Sequence, residues 1–374
     1  MPVFSRRELL SLSAAPILAT ACGRKKATGF RGYAFVANRA GNGVAAVDLT
    51  GFAVARTFPL NASPTEVIAD PTRPAVYALT PETGRIHQIR TDSLALGSSA
   101  SVGGRSTSMR LTARGEVLWV LQRDTRRLVR VAPGSMRVEM NISLPAAPGD
   151  FDLSRDGNRA VVSFPDDGSI GFLDLNARKL TAQVPAGPAS AVRFRSDGRV
   201  AIATQPENRQ IWLYDGATGR LIVKLPVGLQ PDHLCFSADG GQLFVTGRGM
   251  DAVVIVYPYN TPLVAETILA GRAPGPMAVS AKPPYLLVTN PKSGEVTILS
   301  IVTRKLVAKA AVGSQPGFVA VTPDDQYALV LNHQSGDMAV LRLAAIQPNR
   351  SKTAPLFTMI PVGSQPVCAA IGTA

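Results

Sequence analysis

The sequence predicts an all-β fold, an eight-bladed β-propeller with four strands per blade, and three observations predict it. A strand–turn–strand unit occurs eight times, its copies are spaced 41–43 residues apart, and Gly, Pro and Asp punctuate the short apolar runs within each copy. One four-stranded sheet cannot bury both its faces, whereas a ring of such sheets covers every face with a neighbour. Seven blades is the alternative count.

The unit is clearest over residues 287–299, LVTNPKSGEVTIL, where an apolar run closes on Asn290 and a second strand starts six residues later at Val296. Positions equivalent to Asn290 are Asn38, Thr80, Gln122, Phe164, Gln205, Gly247 and Asn332, and the residue six further on is aliphatic or Met each time, from Val44 to Met338. In the copy that begins at Leu287, further strands are expected over residues 305–312 and 317–322, separated by the turn Gly313-Ser314-Gln315-Pro316. Pro323-Asp324-Asp325 then turns the chain into the next copy.

The segments LVTNPKSGEVTIL, VGSQPGFVAVTPDD, VGLQPDHLCFSADG and IPVGSQP resemble the YVTN-type β-propeller repeat family, a likeness that covers about the whole chain after residue 32. It implies the fold strongly and the function weakly, because that family serves many roles.

Taken in order, residues 1–21 read as a cleaved signal peptide. Arg6 and Arg7 give a charged start, residues 9–21 are apolar but too short to span a bilayer, and Ala19-Thr20-Ala21 is a small-residue cleavage site. The run Leu18-Ala19-Thr20-Ala21-Cys22 resembles a bacterial lipobox, which implies a lipid anchor on Cys22; the other reading is an ordinary cleavage site with Cys22 as the first free residue. Residues 5–10 resemble a twin-arginine signal, with a plain Sec signal as the alternative. Residues 22–32 form a basic tether, and residues 33–374 a single propeller domain. Blade one opens on its second strand, and the chain ends on an additional strand over 366–372, so the C-terminal strand is expected to complete blade one and close the ring. Residues 345–352 break the period and are expected to form a surface loop.

The formal charge of +13 favours anionic partners, either an acidic envelope polymer or a membrane surface. Nucleic acid does not suit an exported chain whose cations are spread over all blades. A monomer is expected, in the periplasm or at the cell surface, with a protein or an anionic polymer as partner. Cys235 and Cys368 fall on the inner strands of blades six and one, three steps apart, too far for a disulfide; both are expected to be buried small apolar side chains.

No nucleophile elbow, phosphate loop, zinc motif or haem-attachment motif is present, and three histidines leave little for a His-rich metal site. No catalytic residue, metal or cofactor is assigned. His87 is expected at an exposed outer position. The turn after each landmark and the start of each inner strand should share one face, which would gather Asp232, His233 and Arg248 from blade six, Arg272 and Lys292 from blade seven, and His333 from blade eight. That cation-rich set is the candidate ligand site, with Arg272 offering a fork for carboxylate or phosphate. Asp156-Gly157, Asp197-Gly198 and Asp239-Gly240 repeat with the period on the opposite face and read as turn chemistry, not calcium ligands. The leading expectation is a non-enzymatic binding scaffold tethered in the cell envelope. The alternatives are a lactonase-like hydrolase acting at the channel mouth and a haem d1- or metal-related periplasmic propeller.

Overall fold

In the computed structural model, which describes residues 29–346 and 355–373, the chain forms eight antiparallel sheets of four strands each. With strands numbered in chain order, β4 (Glu66–Ala69), β5 (Ala75–Thr80), β6 (Arg85–Arg90) and β7 (Ala95–Ser101) run from the inner to the outer edge of blade two. The plan repeats through β28 (Pro316–Val321), β29 (Tyr327–Asn332), β30 (Asp337–Arg342) and β31 (Leu356–Pro361) in blade eight. Blade one is composite. To β1 (Gly32–Asn38), β2 (Gly43–Asp48) and β3 (Ala53–Pro59), the C-terminal β32 (Pro366–Thr373) adds the inner strand, with Gly32 opposite Thr373 and Asn38 opposite Pro366. The expected count of eight and the closure by the last strand both hold.

The second strand of each blade is apolar over its central residues because both of its faces are covered. β5 and β29 are buried at every position, whereas outer strands such as β3 are exposed at all but one. Alternate side chains of β1 serve opposite neighbours: Ala34 and Val36 pack with Leu329 and Leu331 of blade eight, and Phe35 and Ala37 pack with Val76 and Ala78 of blade two. The core is therefore a set of eight interblade clusters. The pairing of third with fourth strand slips by one residue in every blade, between Ala46 and Val47 in the first and between Val340 and Leu341 in the last. Such a bulge twists an edge strand away from foreign pairing.

Two faces result. The upper face carries the turns that follow the landmark residues and the loops leading into each inner strand. The lower face carries the Asp-Gly turns and the turns between third and fourth strands. Packing begins earlier than the expected Tyr33: Phe30 is buried between blades one and eight. Ala345 closes a single 3-10 turn, Leu343–Ala345. Ile346, the next residue of the predicted insertion, is buried between blades seven and eight rather than in a surface loop; residues 347–352, the signal segment, Cys22 and residues 23–28 lie outside the described residues. Among the described residues no helix is long and apolar enough to cross a membrane.

Candidate functional site

The upper face is held by the landmark residues themselves. Asn38 Nδ2 donates to the Val362 carbonyl (2.7 Å), and Asn332 Nδ2 to the Val312 carbonyl (2.9 Å). Gln122 Nε2 does the same with Val102 (3.0 Å). Each amide thus clasps the loop arriving from the preceding blade. Gly313 (φ +147°) and Gly363 (φ +128°) lie against the amides of Asn332 and Asn38, so the Val-Gly step of the repeat admits no side chain. At Gly247 the landmark is glycine because the Gln230 carbonyl is pressed where a Cβ would stand.

Between the clasped loops of blades six to eight lies a depression of about 990 Å³, lined by His233, Arg272, Lys292 and His333 together with Gln315 and Gly317. His333 follows β29, and its backbone N–H donates to the Gln315 carbonyl (3.0 Å). Its imidazole rests on Gly317, where any Cβ would overlap the ring, and its Nε2 is buried without a hydrogen-bond partner. His233 lies on the inner strand β20 (Gln230–Phe236), at a register slip after Pro231. Burial pushes both histidines below their ordinary value, with the nearby Asp232 opposing this at His233. Both are therefore neutral at pH 7, and the positive charge of the depression comes from Arg272 and Lys292, which are exposed. The remaining two predicted residues are turned to each other: Arg248 Nε stands 3.3 Å from the Asp232 carboxylate, and neither lines the depression. With Arg248 exposed, that pair contributes little to stability.

Deeper in the ring the inner strands carry a charged arc that the sequence reading missed. Arg110, on β8 (Ser106–Leu111), meets Glu66 (2.8 Å), Asp150 (3.4 Å) and Asp152 (3.9 Å), and Arg193 meets Asp150 (2.5 Å). Glu66 also accepts the Met109 N–H (2.7 Å), and Asp152 the Phe194 N–H (2.8 Å). Burial raises the pKa of Glu66 and of Asp152 against the pull of the neighbouring arginines. The equivalent positions on the other side of the ring are Ala278, Phe318, Ala320 and Ala370, each only partly buried. The channel wall is thus charged across blades two to five and apolar across blades seven, eight and one. Aligning the repeats column by column would have exposed the arc, since Glu66 and Asp150 occupy one inner-strand column and Arg110, Asp152 and Arg193 another.

The two inner-strand cysteines are free, and both are half-buried rather than fully buried as expected, because inner strands border the channel. Burial, foremost, pushes each thiol up to about 12, so neither is a nucleophile at neutral pH. His87 is also half-buried, not exposed: its Nε2 sits 3.2 Å from the Thr80 hydroxyl. Among the described residues no three His, Cys, Asp or Glu side chains gather as a metal site.

Fold and site together define an eight-bladed propeller with a cation-bearing channel mouth. By sequence the chain matches no protein-family model and no curated protein. By shape it is similar to dihydro-haem d1 dehydrogenase NirN, solved in complex with DHE, with a TM-score of 0.75 at 14% identity, covering 91% of this chain and 75% of that one. It is also similar to hydrazine synthase of Kuenenia stuttgartiensis, with a TM-score of 0.60 at 18% identity, covering 75% of this chain and 96% of that one. A third likeness is to a functionally unknown protein of Desulfotomaculum acetoxidans, with a TM-score of 0.61 at 15% identity, covering 79% and 98%. At these identities the likeness is one of fold.

Proposed function

We propose that this protein is an exported, lipid-anchored propeller of the YVTN-repeat type that binds an anionic ligand at its upper channel mouth, as a binding module of the cell envelope. One observation carries the reading. Arg272, Lys292 and two neutral histidines border a single depression, while the other arginine of the set, Arg248, is already engaged by Asp232. Guanidinium and ammonium groups on glycine- and proline-bounded loops suit a carboxylate or phosphate group of a polymer. The neutral imidazoles supply hydrogen bonds without competing charge.

A second reading takes the same depression as the seat of a haem d1-type group, as the complex named for NirN suggests. The donor set fits: the unpartnered Nε2 of His333 would offer a nitrogen ligand to iron, and Arg272 and Lys292 would pair with the carboxylates of the macrocycle. Such a group would supply redox chemistry, with these residues binding and orienting it.

One titration tests both. The purified mature protein is titrated with polygalacturonate and, separately, with hemin. Polymer binding should weaken about tenfold or more in Arg272→Ala/Lys292→Ala. It should tighten as the pH falls below 6.5, as His233 and His333 gain charge. Unchanged polymer affinity in the double variant sinks the first reading. A shift of the hemin Soret band on adding the protein, absent with His333→Ala, would put the second reading in its place.

A further inference from the structure

We infer that the lower face of the ring is a docking surface for an anionic bilayer, so that the depression at the upper mouth points away from the membrane. The tether in this inference rests on the lipid-anchor reading of Cys22; the surface is read from the fold.

The chain joins the ring on the lower face. Gly29 lies against the Leu49–Thr50 turn so closely that a Cβ there would strike the Leu49 carbonyl, and the Thr50 hydroxyl donates to the Phe30 carbonyl (3.3 Å). Residues 22–28 can span at most about 25 Å in any conformation. An inner strand such as β28 spans about 20 Å from one face to the other. A lipid on Cys22 would therefore keep the lower face within one tether length of the bilayer. Near the same point an aromatic cluster reaches the surface: Phe357 packs edge-on against Phe52 (5.0 Å between ring centres) and is itself 43% exposed.

Across the ring, the lower-face turns of blades three, four, five and seven present Arg114, Arg155, Arg178, Arg199, Arg220 and Lys282. All are exposed, and none forms an ion pair among the described residues. The aspartates of the turns in blades four and five are hydrogen-bonded locally, whereas Glu116 of blade three is exposed. Asp156, Asp174, Asp197 and Asp215 each accept a backbone N–H of their own turn (2.8–3.2 Å). Arg73, Arg195 and Arg304 on this face are paired; above, Arg105, Arg123 and Arg248 are paired, while Arg39, Arg126, Arg209, Arg272 and Lys292 form no ion pair among the described residues. Three arginines, Arg114, Arg155 and Arg159, border a hollow of about 810 Å³, and three acids, Glu116, Asp156 and Asp197, share its rim. Arg114 and Arg155 at this rim are exposed and without an ion pair among the described residues, so a lipid phosphate would meet them first. The hollow lies across the ring from the point where the chain joins, so tether and hollow together would hold the disc flat rather than on edge. Cations close to an anionic leaflet each add attraction that salt screens.

The test is co-sedimentation of the mature full-length chain carrying Cys22→Ser with vesicles of phosphatidylglycerol and phosphatidylcholine, or of phosphatidylcholine alone. Binding is expected only to the anionic vesicles and should fall as salt rises. Arg114→Glu/Arg155→Glu/Arg199→Glu should weaken it about tenfold or more. Arg272→Glu/Lys292→Glu on the upper face should leave it unchanged. Equal binding to both vesicle types, equal loss from the two sets of substitutions, or binding to dextran sulfate at this face without binding to vesicles would overturn the proposal. The predicted pattern supports the surface even if native Cys22 proves unacylated by mass spectrometry, a result that would overturn only the tether.

Discussion

At the scale of single residues, the amide clasps give the repeat its physical meaning. Asn332 is buried and donates to both the Val312 carbonyl (2.9 Å) and the Asp337 carboxylate (2.6 Å). Removing it strands a buried carbonyl, which costs about 1–2 kcal/mol. Gly313→Ala acts from the other side: at φ +147° a Cβ is strained, and it would stand 2.5 Å from Asn332 Nδ2. That costs about 2 kcal/mol or more. Because both changes act on one contact, Asn332→Ala/Gly313→Ala should lose less than the sum of the single variants, the shortened side chain giving the new methyl room. Urea unfolding midpoints of the three variants decide this; strict additivity would mean that the amide and the glycine do not act as one unit.

At the scale of elements, the inner strands share a charge arc whose balance depends on one arginine. Arg110, on blade three, is the common partner of three carboxylates on the two neighbouring blades, Glu66 on blade two and Asp150 and Asp152 on blade four. Arg110→Ala leaves Glu66, Asp150 and Asp152 with Arg193 alone and should cost about 3 kcal/mol at pH 7. Glu66→Gln should cost much less, since burial already works against its charged form. The variants also separate by pH. Loss of Arg110 lifts the pKa values of Glu66 and Asp152 further above their unfolded values, so the folded state takes up protons before the unfolded state does. Stability of Arg110→Ala should therefore recover relative to the parent as the pH is lowered from 7 toward 4.5, the ordinary Glu value. A deficit that is constant over that range would mean that the carboxylates are not coupled to Arg110. This arc also marks where sequence reading stopped. The strands, their order and both faces were legible, because burial on two sides forces unbroken apolar runs such as Tyr285–Asn290 and turns force Gly, Asp and Pro at fixed offsets. The gathering of His233, Arg272, Lys292 and His333 followed from topology alone. The pairing of Asp232 with Arg248 did not, since it depends on rotamers. The arc escaped because inner strands are short, three residues in β12 (Phe151–Leu153), and their charges stand a blade apart in space but about 42 residues apart in sequence.

At the scale of the whole molecule, eight interblade clusters make a closed cycle, and β32 is the link that closes it. Its Ala369 belongs to the cluster between blades eight and one, and Val367, Cys368 and Ala370 pack on the cluster between blades one and two. The strand therefore seals two interfaces as well as pairing with β1. Removing residues 366–374 would open the inner edge of β1 and uncover both clusters, a loss of about 3 kcal/mol or more, and would leave an unpaired strand exposed to aggregation. A stability loss alone would not show that closure matters, because any deleted strand destabilises. A circular permutant separates the two effects. Gly32 and Thr373 are directly opposed, so a linker of about four residues can join Thr373 to Phe30. New termini can be placed in the exposed loop between Gly104 and Arg105, which precedes β8. That permutant keeps every strand and every cluster but has no blade shared between the two ends of the chain. If the ring is held by the cycle of interfaces, the permutant should match the parent's unfolding midpoint to within about 1 kcal/mol while the truncation aggregates. If the permutant falls as far as the truncation, the composite blade itself, with both chain ends tied into one sheet, is what keeps the propeller shut.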